Sequence, residues 1–194
     1  MIACYFGRKG SGKTTSMQRD ARTATRMLVH DPVFQWGSHA TQVSDPAALL
    51  AIVAKPEWRV ALTDPAVENG AWLAQVAVAC GPCLLVYDEC DWSFSAAKVP
   101  KELRDAISYS RHYRIDIFGG ARRPSDVPRL LTANADRITC HRVVEPRDLD
   151  YLTGYAGTAF AGKVARLRSH ESATWSADDD DGPMDGQADL PLDR

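Results

Sequence analysis

The sequence lacks a long uninterrupted run of apolar residues. Its longest apolar stretch, VAVACGPCLLVY (76–87), is broken by a Gly-Pro pair and is too short to cross a bilayer. No internal repeat or low-complexity segment occurs before residue 177. We therefore expect no membrane span and one globular body. The composition of the 194 residues, 45% hydrophobic and 25% charged, is ordinary for such a domain.

The sequence also lacks a cysteine pattern typical of secreted proteins. The five cysteines are an odd number and the chain does not open on a signal-peptide pattern, so we expect free thiols in a reducing cytosol. Cys80 and Cys83 form CGPC, the dithiol spacing of thioredoxin, where the pair opens a helix. Here the pair precedes the apolar run LLVY, which favours a Gly-Pro turn over a redox site.

The net charge of −2 conceals an uneven distribution. Residues 178–194 hold seven Asp and one Arg, whereas residues 1–177 hold 22 basic and 18 acidic side chains. The terminal segment has too few apolar residues to offset the entropy of ordering it. We predict a domain over 1–177 and an acidic, disordered tail over 178–194. A solubilising role is the simpler interpretation of the tail, and mimicry of a polyanion at a basic site is the alternative.

Strand and helix patterns alternate along the domain. Strands are predicted at 2–6, 33–37, 58–63, 83–89, 115–120 and 137–143, and helices at about 12–28, 45–54, 64–80, 100–112, 124–135 and 145–157. This alternation predicts an α/β domain with a central, mostly parallel sheet flanked by helices on both faces.

The segment GRKGSGKT (7–14) fits the phosphate-loop pattern G-x-x-x-x-G-K-[ST], with a predicted strand before it and a helix after it. Its glycines let the backbone bend so that N–H groups face phosphate oxygens, and the helix N-terminus adds partial positive charge. Lys13 would reach the β- and γ-phosphates, and the Thr14 hydroxyl would ligate Mg²⁺. The predicted nucleotide-binding residues are Gly7, Gly10, Ser11, Gly12, Lys13, Thr14 and Thr15.

An acidic pair ends the most apolar strand, in LLVYDE (84–89). Such a pair is costly to bury unless a metal or hydrogen bonds compensate. We predict that Asp88 holds Mg²⁺ together with Thr14, and that Glu89 polarises an attacking water. In ATPases with a catalytic glutamate, an additional strand lies between the loop strand and the aspartate strand, and we expect it to come from between Thr14 and Asp88. No guanine-reading NKxD motif follows the loop, so ATP and Mg²⁺ are the predicted cofactors.

Two adjacent arginines follow the predicted strand IDIFGG (115–120). Ligands of open α/β sheets bind beyond the carboxyl ends of the strands. Arg122 and Arg123 are therefore predicted to lie within reach of the terminal phosphate. Simple solvation of both side chains at the surface is the alternative.

The segment SRHYRIDIFGGARRPSDVPRLLTANADRI (110–138) resembles the FtsK–HerA superfamily of P-loop ATPases. This superfamily of DNA-pumping ATPases includes the genome-packaging ATPases of icosahedral viruses with an internal membrane. The segment also resembles the ATPase domain of zonula-occludens-toxin-like proteins of filamentous phages. The resemblance spans about residues 1–155 and implies a RecA/ASCE-like P-loop NTPase fold. Where the family has a sensor glutamine this chain has Arg122, which cannot accept a hydrogen bond from water and would instead stabilise phosphoryl charge in cis.

The same resemblance implies a homo-oligomeric ring, usually of six subunits, with an arginine finger donated across each interface. Arg111 matches the family best and is the predicted finger. The other candidates are Arg104, Arg114 and Arg129.

These observations leave three functional hypotheses. The first is an ATPase, stimulated by DNA, that translocates double-stranded DNA into a viral or phage capsid. It would bind the phosphate backbone of the DNA without sequence specificity. A capsid or membrane-vertex protein would be a further partner. We expect this enzyme in the cytoplasm of the host cell, with association with the virion as the alternative location. The second hypothesis is a zonula-occludens-toxin-like assembly or secretion ATPase that acts on protein at the inner membrane. The third, a small-molecule kinase, is disfavoured by Glu89 and by the expected additional strand between the loop strand and the aspartate strand.

The candidate DNA-binding side chains are concentrated late in the sequence. They are Arg137, His141, Arg142, Arg147, Lys163, Arg166 and Arg168. The segment GKVARLR (162–168) either lines a pore or contacts the DNA backbone, or it is a strand or a frayed segment with solvated charges.

Overall fold

The computed structural model describes residues 1–95 and 97–179, which contain one eight-stranded sheet in the order β3-β4-β2-β5-β6-β1-β7-β8. Its strands are β1 Ile2–Phe6, β2 Arg26–His30, β3 Thr41–Val43, β4 Trp58–Leu62, β5 Cys83–Tyr87, β6 Ile115–Ala121, β7 Arg137–His141 and β8 Ser172–Ser176. Neighbouring strands pair in parallel except β7 and β8, which are antiparallel. The predicted α/β class is confirmed.

Helices cover both faces of the sheet. They are α1 Lys13–Asp20, α2 Pro46–Val53, α3 Glu68–Cys80, α4 Lys101–Ser108, α5 Ser110–Tyr113, α6 Arg129–Ala133 and α7 Pro146–Arg166. Short 3-10 turns follow β5 (Cys90–Trp92), β6 (Pro124–Asp126) and β8 (Ala177–Asp179). No helix in this part of the chain is long and apolar enough to cross a membrane.

The central strands are buried on both sides, as the apolar runs predicted. In β1, Ile2, Cys4 and Phe6 face the larger core, whereas Ala3 and Tyr5 face the smaller one. The larger core is covered mainly by α3 to α7 and the smaller one by α1 and the loop that follows β2. Burial on both faces holds the carboxyl ends of the strands in fixed relative positions, which a site at that edge requires.

The strand between the loop strand and the aspartate strand exists, but its predicted origin is wrong. It is β6, which pairs with β1 on one side and β5 on the other, and not a strand from between Thr14 and Asp88. Glycines fit this crowded position because larger residues would clash. A Cβ on Gly119 would lie 2.7 Å from Leu131 Cδ2, and a Cβ on Gly120 would lie 2.9 Å from the Met17 sulfur. The tip of β6 therefore lies directly between the phosphate loop and Asp88.

The predicted strand at 33–37 is also wrong, because this segment is a loop and the strand lies earlier, at Arg26–His30. The Asp31 side chain accepts the backbone N–H groups of Gln35 and Trp36, which satisfies them without a ladder, and Phe34 has a left-handed φ of 60°. The helix predicted over 12–28 correspondingly ends at Asp20.

The C-terminal elements extend further than predicted. The helix expected over 145–157 continues to Arg166 with a break at Gly157, where φ is 83°, so most of GKVARLR is helical. The antiparallel edge strand β8 and the three-residue strand β3 were not predicted. Of the expected acidic tail, residues 180–194 lie outside the described part of the chain.

Candidate active site

The glycine loop between β1 and α1 bends as its sequence predicted. Gly10 and Gly12 have left-handed φ values of 77° and 100°. The Gly7 N–H donates to the carbonyl of Ala121 over 3.2 Å, which fastens the loop to the tip of β6. A Cβ on Gly7 would lie 2.8 Å from the Cβ of His141. The loop is therefore held between β6 and β7 at the carboxyl edge of the sheet.

Lys13 and Thr14, the first residues of α1, contact the acids at the end of β5. The Lys13 side chain is only 5% exposed, and its Nζ donates to the Asp88 carbonyl (2.7 Å) and Oδ1 (3.1 Å). The same ammonium lies 3.5 Å from Glu89 Oε1. The Thr14 hydroxyl is 2.9 Å and 3.0 Å from the two Asp88 carboxylate oxygens. The structure thus brings together the two motifs that the sequence singled out.

Glu89, the second residue after β5, is partly buried beside Lys13 and Arg122. Burial raises the pKa of the Glu89 carboxyl, and the charge of Lys13 and, more weakly, that of Arg122 oppose this shift. Its Oε2 atom is buried and has no hydrogen-bond partner among the described residues. A buried oxygen of this kind is costly unless a donor reaches it. Glu89 Oε2 is therefore an acceptor that is available to a molecule bound in the cleft.

A cleft of about 370 Å³ opens over these groups. Its lining comprises Arg8, Lys9, Gly10, Gly12, Lys13, Thr14, Thr15, Gln35, Glu89 and His170. The donor set fits a triphosphate with Mg²⁺, because a hydroxyl and a carboxylate are hard oxygen ligands and Mg²⁺ takes its remaining ligands from water and phosphates. The buried hydroxyl of Ser11, which has no partner in this part of the structure, is a further free donor in the loop. A larger open hollow, of about 700 Å³, lies at the opposite edge of the sheet, away from these groups.

Arg122 and Arg123 point in different directions. Arg122 is 55% exposed, and its Nε lies 3.8 Å from Oε2 of Glu89, which lines the cleft. Arg123 instead donates to Asp148 Oδ2 over 3.1 Å and pairs with Glu145, both near the start of α7. For Arg123 both expectations are wrong, because it is neither at the cleft nor simply solvated. Its charge fastens α7 to the tip of β6.

Arg111 is not brought to this site. It lies on α5, before β6, with 90% of its side chain exposed and its Nη2 3.3 Å from Asp136 Oδ1. This is the amino edge of the sheet, beside Met1 and opposite the glycine loop. Any contact between Arg111 and a nucleotide would have to be with the site of a neighbouring subunit, so its role as a finger in trans stays a prediction.

Trp36 was missed from the sequence, and His141, expected among the DNA-binding side chains, is instead buried at the site. Trp36 donates its indole N–H to Asp88 Oδ2 over 3.1 Å, and its placement in a predicted strand concealed this contact. His141, at the end of β7, lies under the loop, with Nδ1 3.1 Å from the Glu171 carbonyl and Nε2 3.2 Å from the Ser16 hydroxyl. Since a carbonyl only accepts, Nδ1 carries the proton and Nε2 accepts from Ser16.

The CGPC segment is a turn, as its context predicted. Cys80 ends α3 and Cys83 begins β5, so the pair lies at the C-terminal end of a helix, which does not stabilise a thiolate. Burial raises the pKa of Cys83 to about 12. Both thiols are free. These features favour structural thiols over redox chemistry.

Comparison with known proteins gave matches among solved structures alone: no protein-family profile and no curated protein matches the chain. The genome-packaging NTPase B204 from Sulfolobus turreted icosahedral virus 2, in complex with ATP-gammaS, matches with a TM-score of 0.79 at 20% identity, over 92% of this chain and 93% of that one. The pCW3 conjugation coupling protein TcpA matches with a TM-score of 0.52 at 12% identity, over 91% of this chain and 57% of that one.

The N-terminal domain of zonular occludens toxin from Neisseria meningitidis gives a TM-score of 0.47 at 18% identity, over 73% of this chain and 77% of that one, a similarity too weak to establish a shared fold. At 20% identity the likeness to B204 establishes the fold. The chain therefore has a P-loop NTPase fold like that of B204, as the phosphate loop and the alternating strands and helices predicted.

Proposed function

We propose that the chain is an ATP-hydrolysing motor that moves double-stranded DNA, with the packaging of a viral genome as its task. The observation that carries the proposal is the contact of Lys13 with Asp88 and Glu89 beside a glycine loop, with Arg122 next to Glu89. Such a set of one buried ammonium, two acids and one guanidinium suits phosphoryl transfer to water.

In this proposal each side chain has a separate task. The loop N–H groups and Lys13 bind the phosphates, and Thr14 and Asp88 hold Mg²⁺, which supplies charge neutralisation at the β- and γ-phosphates when it is bound. Glu89 orients a water through its free Oε2 and takes its proton. Arg122 lies within 4 Å of Glu89 and stabilises the charge of the transferring phosphoryl group.

A second, basic cleft supports the choice of DNA. It has a volume of about 140 Å³, adjoins the glycine loop and is lined in part by Arg8, Lys9, Arg142 and Arg168. Within the described part of the chain, no carboxylate lies within ion-pairing distance of these four side chains. Cations without carboxylate partners are free to bind the phosphate backbone of DNA, which releases counterions from the DNA. Contacts with the backbone carry no information about the base sequence. The fold shared with a packaging NTPase points the same way.

The test is ATP turnover with increasing double-stranded DNA at several salt concentrations. We expect stimulation that weakens with salt, and that falls in an Arg142→Ala/Arg168→Ala variant. It should not fall in an Arg22→Ala/Lys55→Ala control, whose exposed side chains lie at the opposite, amino edge of the sheet. Turnover that ignores DNA at every salt concentration would contradict a DNA motor. It would instead favour the assembly or secretion ATPase that acts on protein.

The same proposal includes the oligomeric state of the protein, its recruiting partner and its location in the cell. We propose a homo-oligomeric ring whose subunit interface supplies Arg111, recruited by a capsid or membrane-vertex protein in the cytoplasm of the host cell. Association with the virion is the alternative location. Mass measurement with an ATP analogue and DNA present would determine the number of subunits.

A further inference from the structure

The carboxylate of Asp88 is held by a residue that belongs to neither nucleotide motif. Three side chains donate to it: Lys13, Thr14 and Trp36, the last through its indole N–H at 3.1 Å from Oδ2. Asp88 and Trp36 are both fully buried. In the nucleotide complex Lys13 would bind phosphate and Thr14 would bind the metal ion. The Trp36 indole is the one of these three donors that would bind neither.

Trp36 is itself held by a buried carboxylate. Asp31, directly after β2, accepts the N–H of Trp36 on Oδ2 over 2.9 Å and that of Gln35 on Oδ1 over 2.8 Å. The Gln42 side-chain amide donates to the same Oδ2 over 3.1 Å. Asp31 is 0% exposed, so these bonds are shielded from competing water. The loop between β2 and β3 is thus anchored to the end of β2 and places the Trp36 indole against Asp88 at the end of β5.

The choice of an indole has a physical reason. A metal site needs its aspartate negatively charged and fixed in direction, and a second cation beside Asp88 would repel Mg²⁺. The indole nitrogen carries no charge and donates a single hydrogen bond. The ring also packs into the smaller core with Met17 and Val29, which removes its rotational freedom. A neutral donor with a locked ring can orient Asp88 without lowering its attraction for the metal ion.

We propose that Trp36 is a positioning residue for the magnesium site, and that Asp31 holds it in place. This inference rests on the proposed nucleotide site. Positioning partners of this kind typically change metal affinity by about 10- to 100-fold. Trp36→Phe keeps an aromatic ring in the core and removes the donor, so it isolates the hydrogen bond from the packing.

The experiment measures the binding of a fluorescent ADP analogue at increasing Mg²⁺ concentration and in excess EDTA. For Trp36→Phe we expect the Mg²⁺ concentration for half-maximal binding to rise by about 10-fold or more, with binding in EDTA changed by less than about twofold. Trp92→Phe, a partly exposed indole just beyond Glu89, is the matched control and should behave as the unaltered protein. An unchanged Mg²⁺ requirement, or an equal loss in EDTA, would overturn the proposal.

A second readout does not depend on nucleotide turnover or on the folding of that variant. In a ¹⁵N–¹H spectrum of the unaltered protein, the indole signal of Trp36 should shift on addition of Mg²⁺ and ADP together and not with either alone. Asp31→Asn, which leaves Trp36 intact, should likewise raise the Mg²⁺ concentration for half-maximal ADP binding. If the unaltered protein binds ADP without regard to Mg²⁺, the proposed function fails; if it is Mg²⁺-dependent and neither variant differs, only the role of Trp36 fails.

Discussion

His141 illustrates how one buried side chain supports the glycine loop. Its ring packs under Gly7 and Gly12, and its two nitrogens bond to Ser16 and to the Glu171 carbonyl. Burial lowers the pKa of His141 below its usual value, so the folded protein favours the neutral ring. That form suits both contacts, because one nitrogen must accept while the other donates.

The pH dependence of stability follows from this shift. The folded pKa lies below the unfolded one, so the unfolded chain binds the proton first as the pH falls through about 6.5. The free energy of unfolding should therefore decrease from about pH 7 to pH 5. Thermal unfolding of the unaltered protein and of His141→Gln over this range tests it, with a shallower decrease expected for the variant. Parallel pH profiles would assign the decrease to other groups, of which His30 is one.

Arg122 and Arg123 show what could have been predicted for single residues. Successive side chains at a strand end point to opposite sides, so only one of two adjacent arginines can face the cleft. That rule was available from the sequence. Which of the two faces the cleft was not, because it depends on where α7 presents Glu145 and Asp148 to Arg123.

At the scale of elements, β6 lies in a tightly restricted space between β1 and β5. A Cβ on Gly120 would lie against the Asp88 carbonyl and 2.9 Å from the Met17 sulfur. The carbonyl cannot move without displacing the acidic pair. The glycine therefore allows β6 to lie close to the end of β5.

Gly120→Ala should consequently lower both stability and ATP turnover. We expect a loss of about 1–3 kcal/mol in the free energy of unfolding, typical of an overpacked core, measured by urea denaturation. Gly154→Ala is the control, since nothing lies within 4 Å of its added methyl group on α7. A Gly120→Ala protein as stable and active as this control would show that β6 can move aside at no cost.

The elements differ in how well the sequence predicted them. The strands β1, β4, β5, β6 and β7 are contiguous apolar runs next to turn residues, and all were predicted nearly in place. β2 was missed because RMLVH continues the apolar pattern of the helix before it. A short apolar run fits both the period of a helix and that of a strand, so it does not distinguish them. The edge strand β3 has only three residues, and both β3 and β8 are partly polar, so they carry little hydrophobic signal.

Strand order is a property of the tertiary structure that the local pattern does not encode. The phosphate loop and the acidic pair were recognisable as motifs, and their meeting followed from the parallel sheet. The hydrogen bond from Trp36 to Asp88 joins residues 52 positions apart through a loop with no regular structure. No local spacing in the sequence indicates such a contact.

For the whole molecule, the exposed Arg111 at the amino edge is relevant only if subunits assemble. A finger in trans contributes about 10³- to 10⁵-fold to turnover, so Arg111→Ala should reduce ATP hydrolysis by about 10³-fold or more. Mixing Arg111→Ala subunits with Glu89→Gln subunits should restore part of the activity, because some sites then combine an intact glutamate with an intact finger. Lys101→Ala, another exposed cation, is the control. Intact assembly without rescue would exclude Arg111 as the finger.

The central claim is that distant segments of this chain converge to hold a triphosphate and activate water against it. The most direct measurement compares ATP binding and ATP hydrolysis in Lys13→Ala, Glu89→Gln and the unaltered protein. We predict that Glu89→Gln binds ATP with nearly unchanged affinity and hydrolyses it at least about 10²-fold more slowly, and that Lys13→Ala loses binding. A Lys13→Ala or Glu89→Gln protein that hydrolyses ATP at the unaltered rate would contradict the account.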